Sequence, residues 1–260
     1  MNVKRIALFS LLVIIILVMS SCFPLPDLIR AVLIHDANSV LTLEGLLTIA
    51  EAEFMAKGYE VIYSSEEGFN PDLYMITLII SPETAFAPSE IAKLQNQLNR
   101  GGKIILASFL YYTGAFGNLI LDALANTLDI GVSFPLEKVT DNTNKYGGDK
   151  NLVTTSKFTA HPITSSLTKP LLFPYPTNLI LSGNAVAVVR AEDEAVVVPL
   201  IASEDSDETY EMAGTNPCLI AATSIGPGKV VSLSAAVVVD VFLLPTGFDG
   251  QKLLRNIIDW

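Results

Sequence analysis

The chain has 260 residues, of which 50% are hydrophobic and 17% charged, and it contains two Cys and two His. This composition excludes a disordered tail, a disulfide-rich scaffold and a His-rich metal site, while the length suits one large domain or two small ones. The formal net charge of −11 argues against DNA or RNA as a partner, because binding to phosphates requires clustered Lys and Arg.

The N-terminal segment has the layout of an export signal. Lys4 and Arg5 precede an almost wholly apolar run over 6–19. As a helix, this run would extend about 21 Å, which is too short for a hydrocarbon core of about 30 Å. Two small residues then precede Cys22. This end resembles the lipobox of bacterial lipoproteins, and the resemblance implies cleavage before Cys22 and a diacylglycerol on its sulfur.

The lipoprotein resemblance divides the chain into a signal over 1–21, a tether over 22–29 and a folded body over 30–260. Cleavage removes two basic residues and no acid, so the mature chain has 14 basic residues, 27 acidic residues and a net charge of −13. Anionic headgroups repel such a surface, so we expect the lipid, and no basic patch, to hold the protein at the bacterial cell envelope. An ordinary cleaved signal and an uncleaved anchor helix stay open as alternatives.

The first half of the body alternates predicted strands with predicted helices. Short apolar runs predict strands at Ala31–Ile34, Glu60–Tyr63, Leu73–Ile80 and Lys103–Ala107. Apolar stripes at helical spacing predict a helix from Asn38–Ser39 to Phe54, one from Pro88 to Leu98 and one near Phe116–Leu128. This alternation, together with strands that lack a polar side, indicates a parallel sheet covered by helices on both faces.

The alternation of predicted strands and helices ends after about Ile130. A polar, turn-rich stretch covers Asp141–Asn151. Apolar runs then follow at hairpin-like spacing, at Leu179–Leu181, Ala185–Val189, Val196–Ile201, Cys218–Thr223 and Lys229–Leu233. We expect an antiparallel extension, a return to the sheet and a closing amphipathic helix that ends at Trp260. With no internal repeat and no clear linker, residues 30–260 are expected to form one domain.

Three stretches occur in an order typical of one family. Pro88–Ala107 has a helix, a Gly-Gly pair and a strand; 159–167 reads TAHPITSSL; and 228–260 has a strand, a loop and a helix. Together they resemble class I glutamine amidotransferase-like domains without a glutaminase, and 198–211 is similar to an exposed hairpin of auxiliary subunits of gliding-type ABC transporters. The resemblance implies an α/β, flavodoxin-like three-layer sandwich with a central, mainly parallel sheet.

The family's catalytic residues are missing from this chain. The resemblance places a nucleophilic Cys at the turn after the fourth strand, where the chain has Ser108 and Phe109, and no His follows His161. One other constellation stays open, because the carboxyl ends of neighbouring parallel strands face one crevice. Ser108 follows the fourth strand there, and His35 and Asp36 follow the first. The turn lacks the G-x-S-x-G elbow of serine hydrolases, which favours ordinary polar residues at strand ends.

Four other groups have structural interpretations. His161 precedes a Pro and is interpreted as a turn residue that caps a backbone group, and Cys218 as a buried small hydrophobe. Asp205–Thr209 is interpreted as a solvated acidic hairpin tip, with weak Ca²⁺ binding left open. Gly226–Lys229 lacks the residues of a phosphate loop and predicts a β-turn. The sequence predicts no cofactor and no metal site.

The sequence therefore predicts a non-catalytic, lipid-anchored extracytoplasmic binding module that contacts an envelope protein or a small polar ligand. Its expected crevice residues are His35, Asp36, Asn38, Ser81, Ser108 and Asp240. Two other functions stay open: a hydrolase that uses Ser108 or Asp36 on an envelope substrate, and an accessory subunit of an envelope ABC transporter.

Overall fold

The computed structural model describes residues 27–36, 43, 45–110, 115–200, 212–213 and 216–260. The predicted signal, Cys22, most of the tether, Asn38 and the acidic Asp205–Thr209 lie outside the described residues. Across the described ranges, no helix has both the length and the apolar character that a membrane crossing requires.

The described elements alternate early in the chain and become strand-rich later. The helices are α1 (Thr48–Ala56), α2 (Ser64–Glu67), α3 (Pro88–Asn99), α4 (Ala115–Thr127), α5 (Asp240–Leu243) and α6 (Gly250–Asp259), with 3₁₀ turns at Pro71–Leu73 and Pro162–Thr164. The strands of the first half are β1 (Ile29–His35), β2 (Glu60–Tyr63), β3 (Tyr74–Ile80) and β4 (Lys103–Ala107). Those that follow are β5 (Val132–Ser133), β6 (Glu137–Thr140), β7 (Lys145–Tyr146), β8 (Asp149–Thr155), β9 (Lys157–Phe158), β10 (Leu171–Pro174), β11 (Ile180–Leu181), β12 (Val186–Arg190), β13 (Val196–Pro199), β14 (Met212–Ala213), β15 (Cys218–Ile225) and β16 (Gly228–Leu233).

The main sheet has the strand order β2-β1-β3-β4-β16-β15-β12-β9. Its first five strands pair in parallel, and β15, β12 and β9 continue the sheet in antiparallel pairing. The parallel part has the 2-1-3-4-5 order of a flavodoxin-like fold. The expected fold class and its antiparallel extension are therefore confirmed.

Helices cover both faces of this sheet and make it the middle of three layers. On one face, α1 and α6 pack on a core that includes Ile105 and Ala107 of β4. On the other face, α3 and α4 pack on a core that includes Ile104 and Leu106. Successive residues of β4 thus enter opposite cores, which explains why this strand is apolar at nearly every position.

Two parts of the fold differ from the sequence-based expectations. The first helix begins at Thr48 rather than near Ser39; Gly45, at φ +75°, forms a turn with Leu46 before it. Between β4 and β15 the chain also builds small antiparallel sheets, β10-β8-β7 and β14-β13-β6 with the β11-β5 pair. Their strands have two to seven residues, and the shortest contain too few residues to show the alternation that predicts a strand.

Candidate functional site

Polar side chains end or follow each of the five parallel strands at the carboxyl edge of the main sheet. His35 ends β1, and Ser64 directly follows β2. Ser81, Ser108 and Ser234 directly follow β3, β4 and β16. In open α/β sheets this edge is the usual place for a ligand, so these residues define the candidate site.

Ser108 is completely buried beneath helix α4. Its hydroxyl donates a hydrogen bond of 2.6 Å to Oδ1 of Asn118, and the Asn118 amide donates in turn to the carbonyl of Pro135 at 3.2 Å. These contacts attach α4 to the carboxyl end of β4. They give the Ser108 hydroxyl an amide partner and leave it without the imidazole that a serine nucleophile requires.

His35 and Asp36 meet at a different serine. The Nδ1 atom of His35 lies 3.1 Å from the hydroxyl oxygen of Ser64, which donates to Oδ1 of Asp36 at 3.1 Å. The backbone N–H of Asp36 also donates to this hydroxyl, at 3.2 Å. Ser64, the residue after β2, therefore bridges His35, the last residue of β1, and Asp36, the residue after it.

The single hydrogen of the Ser64 hydroxyl assigns the tautomer of His35. If the hydroxyl donates to the Asp36 carboxylate, the stronger acceptor, then His35 must carry its proton on Nδ1 and donate to Ser64. The Nε2 atom of the neutral ring is then an acceptor. This order, with the serine between the imidazole and the carboxylate, differs from a catalytic triad, in which the imidazole stands in the middle.

Burial lowers the pKa of His35, and the nearby carboxylates of Glu90 and Asp36 oppose this shift only in part. The residue is 3% exposed, and its ring lies against Phe69 and Phe86, with centroid distances of 4.6 and 5.3 Å. His35 is therefore neutral at pH 7, beside an aromatic pair whose own centroids are 5.4 Å apart.

Asp36 is held at the start of the short helix α2. Its Oδ1 accepts from the backbone N–H of Ser65 at 2.9 Å, and its Oδ2 accepts from the Ser65 hydroxyl at 2.5 Å. Partial burial would raise the pKa of this carboxyl, but the hydrogen bonds from Ser65 and Ser64 outweigh it and keep the pKa below its ordinary value. Asp36 is thus ionised and engaged in bonds that order the turn after β2.

Ser81 occupies a sharp turn after the central strand β3. Its φ of +37° lies in the left-handed region that non-glycine residues rarely adopt, and its hydroxyl is fully buried with no hydrogen-bond partner. A Cβ added to Gly117 of α4 would stand 2.1 Å from this hydroxyl oxygen. Ser81 is therefore packed under α4 and does not line an open crevice.

Of the two remaining residues predicted for the crevice, Asp240 is described by the structure and Asn38 is not. Oδ1 of Asp240 accepts from the backbone N–H of Ile49 at 2.8 Å, and the Asp240 N–H donates to the carbonyl of Leu46. Asp240 thus caps the first turn of α1, whose own preceding residue supplies no side-chain cap. Asn38 lies outside the described residues.

The sequence reasoning missed Ser64 and Asn118. Ser64 could have been found, because it follows a predicted strand just as Ser108 does, and the same rule about carboxyl ends applies to both. Asn118 carried no such signal, since its role depends on how α4 packs on the sheet. Across the described part of the chain, no three His, Cys, Asp or Glu residues are grouped to hold a metal ion.

The structural interpretations of three other groups agree with their observed contacts. Nδ1 of His161 accepts from the backbone N–H of Ile163 at 3.2 Å and caps a 3₁₀ turn. Cys218 is buried, which raises the pKa of its thiol to about 12. Residues 226 and 227 form the turn of the β15–β16 hairpin.

The opposite, amino edge of the sheet holds a second group of charges. Lys103 and Lys229 are paired neighbours on β4 and β16. The Lys103 ammonium donates to the carbonyls of Ile257 and Ile258 at 2.6 and 2.8 Å, and Lys229 donates to the carbonyl of Trp260. Burial and the adjacent Lys229 lower the pKa of Lys103 to about 8. Both lysines thus serve the carboxyl end of α6, where cations are favourable.

Comparisons with known proteins support the fold alone. No protein-family model matches the chain, and no curated protein matches it in sequence. The N-terminal domain of mmIFT52 is similar in structure, with a TM-score of 0.63 and 15% identity over 88% of this chain and 96% of that one. A cytoplasmic protein of Salmonella typhimurium has a TM-score of 0.51 and 11% identity over 89% and 98% of the two chains. Identities this low carry no information about activity.

Proposed function

We propose that the protein is a non-catalytic binding module, tethered by lipid on Cys22 to the outside of the cytoplasmic membrane or to another envelope membrane. One observation carries the non-catalytic part: the four serines that follow the parallel strands, Ser64, Ser81, Ser108 and Ser234, are all buried. Ser108 is bonded to Asn118, and His35 to Ser64. The class I glutamine amidotransferase-like relationship belongs to the same proposal, as a fold that has lost its nucleophile.

The position of β1 supports a defined orientation of the tethered body. The strand starts at Ile29, at the amino edge of the sheet, and ends at His35 at the carboxyl edge. The six residues between Cys22 and Ile29 extend over at most about 25 Å, so the lipid holds the amino edge near the membrane. The carboxyl edge then faces away from the lipid and is accessible to an envelope partner.

The tether is tested by cell fractionation of wild type and Cys22→Ala. We expect the wild-type protein in the membrane fraction and the variant in the soluble fraction, with Cys218→Ala as the matched control that stays in the membrane. Membrane retention of Cys22→Ala would contradict the lipid anchor. Mass spectrometry of the wild-type N-terminus should show a processed and acylated Cys22.

The hydrolase alternative is tested with a fluorophosphonate probe, which phosphonylates an activated serine with loss of fluoride. We expect no labelling of the native protein, because Ser108 and Ser81 are buried and Ser64 donates its hydrogen to a carboxylate. Labelling that disappears in Ser108→Ala, with unchanged far-UV circular dichroism, would establish the hydrolase and overturn the proposal.

A further inference from the structure

Two loops at the carboxyl edge, on the α3/α4 side of the sheet, are acidic. The described loops 64–71 and 81–90 together contain four Glu and no Lys or Arg. In the described part of these loops Glu66, Glu67 and Glu83 are exposed. Lys93 of α3 approaches this side of the molecule, but its ammonium is bonded to the carbonyl of Phe69 and to Asn70. The four glutamates of these two loops outnumber Lys93, so the net charge of this surface is negative.

Apolar and aromatic side chains occupy the same region on the α3/α4 side of the sheet. Phe116 of α4 has 70% of its surface exposed, and Leu119, one turn later on the same side of the helix, has 49% exposed. The neighbouring residue Gly117 contacts Ser81, which places Phe116 beside loop 81–87. That loop contributes the half-buried Phe86, which packs on Phe69 in the loop after β2.

We propose that this surface, formed by Phe69, Phe86, Phe116 and Leu119 with Glu66, Glu67 and Glu83 around it, binds a cationic, amphipathic segment of another envelope protein. The proposal rests on the binding function proposed above and gives its partner a chemistry. The exposed Phe116 ring and the half-buried Phe69 and Phe86 attract both apolar side chains and ammonium groups, and the glutamates complement Lys or Arg.

Charge complementarity favours a basic segment over two other binding partners, a second copy of the chain and an anionic lipid surface. A symmetric second copy would bring two acidic surfaces face to face, and like charges at an interface cost free energy. An anionic lipid surface is repelled for the same reason, and the tether enters at the opposite edge of the sheet. A basic amphipathic segment meets neither obstacle, since its charges pair with the glutamates while its apolar side packs on the rings.

The test uses the chain produced from residue 22 onward with Cys22→Ser, which needs no detergent. The probe is a synthetic 18-residue amphipathic Lys/Leu peptide, and titration calorimetry measures its Kd at low and high salt. We expect binding that weakens with salt, and a Kd raised about fivefold by Phe116→Ser and about fivefold by the double change Glu66→Gln and Glu67→Gln, a factor equivalent to roughly 1 kcal/mol each.

Matched controls separate this surface from general attraction to an acidic protein. Leu244→Ser removes a 63% exposed side chain directly after α5, and Glu60→Gln removes an exposed acid at the amino edge. Both should leave the Kd within twofold of the parent. A peptide with Ser in place of Leu should bind at least about fivefold more weakly.

Three results would overturn the proposal: no binding of the Lys/Leu peptide, an equal loss in the control variants, or equal binding of an otherwise identical Glu/Leu peptide. Each of these leaves the proposed function standing, because the Cys22 fractionation and the fluorophosphonate test do not involve this surface. Conversely, serine labelling or a soluble wild type would defeat the proposed function while the peptide titration still reported on the surface.

Discussion

At the amino edge of the main sheet, the buried Lys103 ammonium bonds two carbonyls at the end of α6, so its charge serves the fold. At the carboxyl edge, hydroxyls and carboxylates bond one another around His35, and Glu66, Glu67 and Glu83 of the loops are exposed to solvent. The same sheet thus has one edge where charge stabilises a helix end and another where charge stays available to a partner. In the proposed function, this difference gives a body tethered through Cys22 a defined direction.

The largest expected effect is at the amino edge. A Cβ at Gly228 would stand 2.4 Å from the carbonyl oxygen and 2.6 Å from the Cα of Leu98 in α3. Since both atoms belong to the backbone, no side-chain rotation relieves the contact, and Gly228→Ala should lower the free energy of unfolding by about 3 kcal/mol. Urea denaturation measures it, and a loss below about 1 kcal/mol would show that α3 and β16 are less closely packed than described.

The equivalent change at the carboxyl edge should be reversible by a second mutation. Gly117→Ala would place a Cβ 2.1 Å from the Ser81 hydroxyl oxygen and 3.2 Å from the Ser81 Cα, so the severe contact is with the side chain, and we expect a loss of about 2 kcal/mol in the free energy of unfolding. Ser81→Gly removes that hydroxyl and suits the φ of +37°. The double variant should therefore recover most of the loss, and a purely additive double variant would contradict the assigned contact.

Two carboxyl-edge serines should differ in a matched pair of substitutions. Ser64→Ala removes a hydroxyl that bridges His35 and Asp36, and it should cost about 1.5 kcal/mol in the free energy of unfolding, because buried partners are left unsatisfied. Ser81→Ala removes a hydroxyl without a partner and should change the same quantity by less than about 0.5 kcal/mol. Chemical denaturation of both variants checks the contrast; equal losses would show that the Ser64 bridge contributes nothing specific.

The smallest effect is a pH dependence. Because burial lowers the pKa of His35 in the folded state, the unfolded chain binds more protons as the pH falls below about 6.5, and the free energy of unfolding should decrease there. Burial and the charge of Lys229 also lower the pKa of His161, so the comparison needs both His35→Gln and His161→Gln. His35→Gln should flatten the slope of unfolding free energy between pH 7.5 and 5.5. An unchanged slope would contradict the buried, neutral ring.

The layers of the fold were accessible from sequence because they follow local patterns. Strands such as β3 and β4 are continuous apolar runs, and α3 and α4 have apolar residues at helical spacing. Each of these elements can therefore be recognised from a short stretch of sequence. The start of α1 was predicted too early because Leu43 and Leu46 continue its apolar spacing, although Gly45 interrupts the backbone. The turn at Gly45 therefore sets the start of the helix, even though the apolar spacing continues before it.

The site was accessible only in part, because its contacts join residues distant in the chain. The rule about carboxyl ends located His35, Asp36 and Ser108 at one edge, but the pairing depends on register: His35 lies beside Ser64 since β1 pairs with β2 as well as with β3. The bond between Ser108 and Asn118 and the Ser81 contact with Gly117 depend on the packing of α4. Neither has a local signal in the sequence.

The proton on His35 tests the central claim most directly, since its position decides whether Ser64 is a bridge or a nucleophile beside a base. Long-range ¹H–¹⁵N NMR of the selectively labelled ring at pH 7 resolves the two nitrogens. Hydrogen on Nδ1 and a bare Nε2 are expected, with the Ser64 hydroxyl donating to Asp36. A ring with hydrogen on Nε2 and Nδ1 accepting from Ser64 would contradict the account, because it would form the serine–imidazole pair of a hydrolase.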